Sequence, residues 1–235
     1  MTGPRILLLD IECTNLDADY GYTMCVGYKW YGEKKIHVPS VLDYADAFGK
    51  DPTNDKHLMR DIHKVMSQAD MWVTFYGKMF DVPYLMARML HHKLPILPPI
   101  PHVDLYFTAK TNLKVSSRRL GNLIDHLGLK ARKTRLSGPI WVRAAAGHTP
   151  SLKYIKDHCY HDINALSELY TLLRPLVRLH PNVTGKYTTA EKGKCRICGS
   201  DRLQWRGRLL LTRTSAKRRV HCSNCGSWDT RLAAS

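Results

Sequence analysis

Two kinds of apolar pattern alternate along the first 180 residues of the chain. The continuous run Ile6-Leu7-Leu8-Leu9 predicts a strand over residues 5–11 that is buried on both faces. Shorter apolar stretches predict strands over residues 24–30, 34–39, 71–76 and 102–107. Helical spacing of apolar residues predicts helices over residues 56–69, 82–92, 120–128 and 151–179, with a loop of partial helix over 130–149. Pro175 can kink the last of these helices or end it early. This order of elements is typical of an α/β fold.

These patterns predict three parts. Residues 1–180 form an α/β domain, residues 181–193 a polar linker, and residues 194–235 a small module that contains four of the seven cysteines. The other three cysteines, Cys13, Cys25 and Cys159, stand singly and are expected to be reduced packing residues.

Charge narrows the class of partner. The chain has 36 Lys and Arg against 20 Asp and Glu, a formal net charge of +16. This excess favours nucleic acid as a partner, and a basic surface that only keeps the chain in solution is the alternative. Residues 186–235 are the most basic part, with 12 Lys and Arg against 3 Asp and Glu. No apolar stretch approaches the roughly 20 residues of a membrane span, and residues 1–5 lack a signal-peptide pattern, so we expect a cytoplasmic protein without a membrane partner.

Acidic residues stand where predicted strands and helices meet. Asp10 and Glu12 are two residues apart on a strand and project to the same side, so a divalent cation would relieve their repulsion; an ordinary acidic turn is the alternative. Asp81 follows a strand and begins a helix, where α/β proteins place ligands, although an N-cap would look the same. His158 and Asp162 are four residues apart and share one helical face.

Taken in order, Asp10-x-Glu12, Phe80-Asp81 and Asp162 resemble the motifs of the DEDD exonuclease superfamily, within the ribonuclease H-like fold. Residues 75–88 resemble the second exonuclease motif and the helix that follows it. Residues 102–106, 120–128 and Lys133 are similar to the stretch before the third motif in family-B polymerase proofreading domains and their stand-alone relatives. The resemblance covers about residues 5–178 and implies a mixed five-stranded sheet flanked by helices.

The same resemblance implies roles for individual residues. Two Mg²⁺ or Mn²⁺ ions would be held by Asp10, Glu12, Asp81 and Asp162, with Asp10 bridging both ions. His158 stands where one branch has Tyr and would orient or deprotonate the attacking water, and His161 is the alternative. Asp104 is expected to support the site structurally. These relatives usually have Asn five residues before the second-motif Asp, and Tyr76 in its place is expected to contact the substrate end.

Two Cys-x-x-Cys pairs lie in the C-terminal module. Cys195 and Cys198 are followed by Gly199, and Cys222 and Cys225 by Gly226, a spacing that predicts one structural Zn²⁺ and resembles a zinc ribbon. A clamp for nucleic acid is expected from the residues between and beside the pairs: Arg202, Trp205, Arg206, Arg208, Arg213, Lys217, Arg218 and Arg219, with Trp228 just beyond. The alternative is a docking surface for a replication or processing protein.

The function expected from these features is a two-metal 3′→5′ exonuclease that hydrolyses phosphodiester bonds at single-stranded DNA or RNA 3′ ends and releases nucleoside 5′-monophosphates, with DNA favoured. The alternatives are a structure-selective endonuclease of the same fold and a nucleic-acid-binding adaptor without catalysis. A compact nuclease with a zinc ribbon would fit a phage protein that acts in the host cytoplasm.

Overall fold

A computed structural model describes residues 4–132, 134–177, 180–182, 193–212 and 214–232. The chain divides into two compact units, a larger one of Arg5–Tyr170 and a smaller one that includes Thr171–Ser235. Most of the predicted linker lies outside the described residues, as do Lys133 and Arg213. No helix in the described part of the chain is long and apolar enough to cross a membrane.

A mixed sheet forms the centre of the larger unit. Its four strands are β1 (Ile6–Cys13), β2 (Thr23–Trp30), β3 (Met71–Thr74) and β4 (His102–Asp104), in the spatial order β2-β1-β3-β4. Strands β1, β3 and β4 are parallel, and β2 runs antiparallel to β1. The central β1 is buried on both faces, as its continuous apolar run predicts.

The mixed α/β class with a sheet flanked by helices is confirmed, but the described sheet has four strands instead of five. The predicted strand over residues 34–39 meets β2 only at two isolated bridges, Tyr28 with His37 and Cys25 with Ser40. Pro39 lies between these bridges and has no backbone N–H to donate, so a continuous ladder cannot form there.

Seven helices accompany the sheet in the described residues: α1 (Ala45–Lys50), α2 (Lys56–Ser67), α3 (Asp81–His91), α4 (Leu105–Asn112), α5 (Leu120–His126), α6 (Gly138–Ala145) and α7 (Thr149–Leu173). Helices α2 and α3 pack against each other and against the sheet. The strand predicted over 102–107 is shorter than expected because Asp104 caps α4: its carboxylate accepts from the amide of Tyr106.

Helix α7 lies directly on β2 because the facing residue has no side chain. A Cβ placed on Gly27 would come within 2.6 Å of Ile163 Cγ1 and 2.7 Å of Cys159 Sγ. The helix ends at Leu173 and continues as a short 3-10 turn, Arg174–Leu176, instead of reaching residue 179. Pro175 explains the earlier end, since proline removes a helical hydrogen bond and clashes with the preceding turn.

The smaller unit contains a second, antiparallel sheet of β5 (Leu203–Leu211), β6 (Ala216–Cys222) and β7 (Trp228–Leu232), in that order. The described residues 193–212 and 214–232 are called the cysteine module below. The two cysteine pairs lie before β5 and at the β6–β7 connection.

Candidate active site and cysteine module

Strand β1 directs two carboxylates towards α7. Asp10 and Glu12 alternate with Leu9 and Ile11 and therefore share one face of the sheet. The Cys159 thiol on α7 lies 3.8 Å from Asp10 Oδ2, which places α7 above that face. The pairing register of β1 with β2 shifts between Glu12 and Cys13, and such irregularities re-aim side chains at the ends of strands.

Three predicted site residues converge at this point. One ligand atom from each of Glu12, His158 and Asp162 lies within 4.8 Å of the others, and all three side chains are buried. His158 Nε2 is 3.8 Å from Glu12 Oε1 and 3.5 Å from Asp162 Oδ2. Two buried carboxylates and an imidazole form a donor set that fits Mn²⁺ or Mg²⁺, because a cation offsets their shared negative charge.

The orientation of His158 is set by a residue that the sequence did not single out. Thr134 Oγ1 lies 2.5 Å from His158 Nδ1, which leaves Nε2 directed at Glu12 and Asp162. The alternative, His161, is only partly buried and its Nε2 faces Asp157 Oδ2 at 3.7 Å. The geometry therefore favours His158 over His161 as the imidazole of the site.

Asp81 occupies the first turn of α3 without capping it. Phe80 is the N-cap residue, and Asp81 Oδ1 instead accepts a hydrogen bond from the amide of Ile11, 3.1 Å away. Burial raises the pKa of Asp81 to about 7, and the nearby charge of Asp104 adds to the shift. Neither Asp81 nor Asp10 is part of the three-residue group. Asp81 contacts the end of β1 through the amide of Ile11, and Asp10 contacts Cys159 on α7.

Asp104 anchors the loop that leads to Asp81. Its two carboxylate oxygens accept hydrogen bonds from the amides of Tyr76, Lys78 and Tyr106 at 2.9–3.0 Å. These bonds fit the supporting role expected for Asp104. They also hold Tyr76 at a φ of 66°, a left-handed conformation that tyrosine rarely adopts.

The Tyr76 ring is exposed on this loop. It is 45% exposed and meets the Tyr106 ring edge to face, with ring centres 4.9 Å apart. Asparagine, which the resembling families usually have here, tolerates the left-handed region far better. The substitution by Tyr is thus accommodated by the hydrogen bonds of Asp104 and by aromatic packing.

A cavity of about 260 Å³ opens beside Glu12. Its walls include Leu16, Phe80 and Trp141, and Asn15 contributes a polar group. Trp141 lies on α6, in the region that the sequence predicted as a loop with partial helix, and it lines the same cavity as Glu12 although the two are 129 positions apart. Local sequence patterns carry no signal for such a long-range arrangement.

The two cysteine pairs adopt the same backbone geometry. In both, the first cysteine's amide donates to the carbonyl of the serine five residues later, Ser200 or Ser227, and its carbonyl accepts from the amide of the following glycine. Gly199 and Gly226 have φ of 75° and 73°, a left-handed conformation that glycine adopts without the strain that another residue would have. The repeated Cys-x-x-Cys-Gly-Ser sequence is the signal for this duplicated turn.

The four thiols face one another. Ligand atoms of Cys195, Cys198, Cys222 and Cys225 all lie within 4.8 Å of one another. Burial alone would raise the pKa of Cys195, but the Ser227 hydroxyl and the amides of Cys198 and Ile197 lower it to about 7. Burial, followed by its thiol neighbours, raises the pKa of Cys225 to about 12. This donor set fits one tetrahedral Zn²⁺, which would keep all four thiolates ionised.

The structure separates the basic residues predicted for the clamp. Arg206, Lys217 and Arg219 share a face of the second sheet, whereas Trp205 and Arg218 belong to the intervening rows on the opposite face. Arg208 is exposed next to an irregularity in β5, and Arg202 precedes that strand. Arg213 lies outside the described residues.

The family model described as RNase_H superfamily matches residues 7–174 of the chain. Among solved structures, the chain is similar to the family B DNA polymerase from the hyperthermophilic archaeon Pyrobaculum calidifontis, with a TM-score of 0.56 and 17% sequence identity. The similarity covers 74% of this chain but only 26% of the polymerase chain, so it shows a shared fold. No curated protein matches the chain.

Proposed function

The chain belongs to the RNase H superfamily, and on that premise we propose that it is a metal-dependent 3′→5′ exonuclease that releases nucleoside 5′-monophosphates from nucleic acid. Membership of this superfamily supports a nuclease function in general. The observation that carries the finer proposal is the convergence of Glu12, His158 and Asp162 at the end of β1. The direction of cleavage and the weak preference for DNA rest on the ordered motifs of the sequence.

The buried carboxylates are the proposed ligands of two Mg²⁺ or Mn²⁺ ions. Such ions lower the pKa of a bound water and stabilise the charge that develops on a scissile phosphate. Glu12 and Asp162 would hold the ion on the His158 side, Asp81 the other, and Asp10 both. Burial of Glu12, Asp81 and Asp162 limits competing water, which strengthens the attraction between these carboxylates and a cation.

His158 is the proposed group that orients the attacking water and accepts its proton. Its Nδ1 lies 2.5 Å from Thr134 Oγ1, and its Nε2 faces Asp162 Oδ2 and Glu12 Oε1 at 3.5 and 3.8 Å, where a metal-bound water would lie. An imidazole has an ordinary pKa near 6.5, so it can accept a proton at neutral pH. Thr134 thus fixes the ring position that this role requires.

The cavity beside Glu12 is the proposed seat of the terminal nucleotide. Phe80, Trp141 and Leu16 line this cavity, and aromatic side chains can stack on a base. Its volume of about 260 Å³ is below the roughly 300–1,000 Å³ of sites for drug-sized ligands, so it suits one base better than several. Tyr76, exposed on the loop before Asp81, is the proposed contact for the adjoining nucleotide.

The cysteine module is proposed to bind one structural Zn²⁺ through its four cysteines and to hold nucleic acid. The +9 formal charge of residues 186–235 favours a polyanion over an ordinary protein surface. A replication or processing protein as the partner of this module is the alternative.

Direction and mode of cleavage decide between the candidate activities. The full chain is incubated with Mg²⁺ or Mn²⁺ and 5′-labelled single-stranded DNA or RNA, alongside covalently closed circles and the Asp10→Ala variant. The proposal predicts a ladder that shortens from the 3′ end, intact circles and no cleavage by Asp10→Ala. Cut circles would indicate the endonuclease. Salt-sensitive binding without any cleavage would indicate the adaptor.

A further inference from the structure

The register of β5, β6 and β7 divides the strands' side chains between two faces. Directly opposed residues of antiparallel strands share a face, and alternate rows share it too. The row Trp205–Val220–Asp229 belongs to the face that is called inner here: Val220 on the central strand is only 1% exposed, whereas Trp205 on the edge strand β5 is 46% exposed. The rows on either side of it therefore form the outer face.

The outer face combines cations with an aromatic surface. It carries Arg206 opposite Arg219. Two rows from Arg219 in one direction is Lys217, and two rows in the other direction is His221, which lies opposite Trp228. Trp228 is 59% exposed, and its ring lies against His221 with centres 4.7 Å apart. The contact fixes the indole on the surface, so an incoming base meets a ring that is already positioned.

The negative charge of the three strands is kept off this face. Asp229 is the only acidic residue of β5, β6 and β7, and it belongs to the inner row. Its carboxylate accepts hydrogen bonds from Arg196 and Arg231, so it is neutralised within the module. The outer face therefore presents cations without a carboxylate from its own strands.

We propose that this outer face, with Trp228 as the stacking ring and Arg206, Lys217 and Arg219 as phosphate contacts, is the surface that binds single-stranded nucleic acid. Aromatic rings stack on unpaired bases, and cations spaced two residues apart along a strand follow a backbone at intervals of about 7 Å. The register assigns base stacking to Trp228 and not to Trp205, because Trp205, although 46% exposed, lies on the face opposite to the three cations. The inference rests on the proposed function only for its choice of partner.

The test measures binding separately from cleavage. Fluorescence anisotropy gives the Kd of a labelled single strand for the full chain in the Asp10→Ala background, and a gel confirms that the strand stays intact. Trp228→Ala is compared with Trp205→Ala, and Trp228→Phe keeps a stacking ring. Arg206→Gln/Arg219→Gln is compared with Arg202→Gln/Arg218→Gln, which removes the same charge. The zinc content of each variant reports whether the module is folded.

We expect Trp228→Ala and Arg206→Gln/Arg219→Gln each to raise the Kd about tenfold, and Trp228→Phe to keep most of the parent affinity. The two controls, Trp205→Ala and Arg202→Gln/Arg218→Gln, should change the Kd less than about twofold. Three results would overturn the proposal. The two double arginine variants could lose the same binding affinity, Trp205→Ala could lose more affinity than Trp228→Ala, or the parent chain could fail to bind the strand. Loss of cleavage alone would bear on the nuclease proposal and not on this one.

Discussion

Single residues in this chain hold conformations that cost free energy. Tyr76 and Lys93 are the non-glycine residues with positive φ in the described part of the chain, at 66° and 59°. Tyr76 lies in the loop before Asp81, where the backbone is held by Asp104, whereas Lys93 lies just beyond the C-terminal end of α3, the end opposite to Asp81. The sequence identifies Tyr76 as unusual for its position, but only the structure reveals that the position is left-handed.

The two residues offer a matched comparison. Lys93→Gly is expected to raise the free energy of unfolding by about 1 kcal/mol, because glycine adopts positive φ without strain, and to leave cleavage unchanged. Tyr76→Gly removes similar strain but also the exposed ring, so it is expected to raise KM for a single strand about fivefold or more. Urea unfolding and steady-state kinetics measure the two effects. An unchanged KM in Tyr76→Gly would remove Tyr76 from the substrate contacts.

A buried charge network also escapes sequence analysis, because its members are distant along the chain. The Asp55 side chain is fully buried and accepts hydrogen bonds from the amide of Thr23, the Arg88 guanidinium and His92 Nε2. Arg88 also donates to the carbonyl of Ala18, in the loop after β1. Burial alone would raise the pKa of Asp55, but these hydrogen bonds outweigh it and lower the pKa below its ordinary 3.8.

Asp55→Asn is expected to lower the free energy of unfolding by about 3–5 kcal/mol near neutral pH, since Arg88 would remain buried without its partner charge. Because the pKa of Asp55 is lower in the folded than in the unfolded state, its contribution is present above about pH 4 and lost as the pH falls further. Urea unfolding at pH 7 and pH 3 should show a smaller acid effect in Asp55→Asn than in wild type. The exposed Asp46→Asn is the control, and equal acid effects in Asp55→Asn and wild type would contradict the assignment.

At the scale of elements, periodicity predicted those that have a strong apolar pattern. The strand β1 and the helices α2, α3 and α5 are found where their patterns place them, within a few residues at their ends, and α7 is found but ends before its predicted limit of residue 179. The helices α1 and α4 were not expected, because α1 buries no residue and the buried positions of α4 include Thr108 and Ala109, which give no strong apolar stripe. The convergence of β1 and α7 depends on packing at Gly27, which no periodicity reports.

Gly27→Ala tests the packing of α7 on the sheet. A Cβ there would contact Ile163 and Cys159 at less than 3 Å, so we expect a loss of about 1–3 kcal/mol in the free energy of unfolding. Because α7 carries His158 and Asp162, a small displacement of the helix should also lower kcat by about tenfold or more. Gly49→Ala, where an added Cβ meets nothing within 4 Å, should leave kcat unchanged. Equal kcat values in the two variants would argue against the packing account.

At the scale of the whole molecule, the chain combines two groups of candidate metal ligands of different chemistry. The site at the end of β1 offers carboxylates and an imidazole, and the cysteine module offers four thiols. The thiol site was the more predictable, because its spacing is local and repeated. The site at the end of β1 brings together residues about 150 positions apart. The sequence predicted this arrangement only through the resemblance of its ordered motifs to those of a known family.

The thiol site is expected to bind one zinc ion per chain. Elemental analysis of the full chain should show one equivalent of zinc, and Cys195→Ser/Cys222→Ser should show none, because two of four ligands are lost. Cys25→Ala, which removes a buried cysteine outside the module, should keep the zinc. Zinc retained in the double variant would place the ion elsewhere.

The most direct test of the central claim is metal-dependent cleavage at the Glu12 site. The full chain, freed of added divalent ions but with its zinc retained, is titrated with Mn²⁺ or Mg²⁺ while the loss of nucleotides from the 3′ end of a 5′-labelled single strand is followed. Glu12→Gln, which keeps the shape but removes the charge, is titrated in parallel. We expect cleavage to rise with added metal in wild type and to fall at least about a hundredfold in Glu12→Gln. Cleavage that needs no added metal, or that survives in Glu12→Gln, would contradict the account.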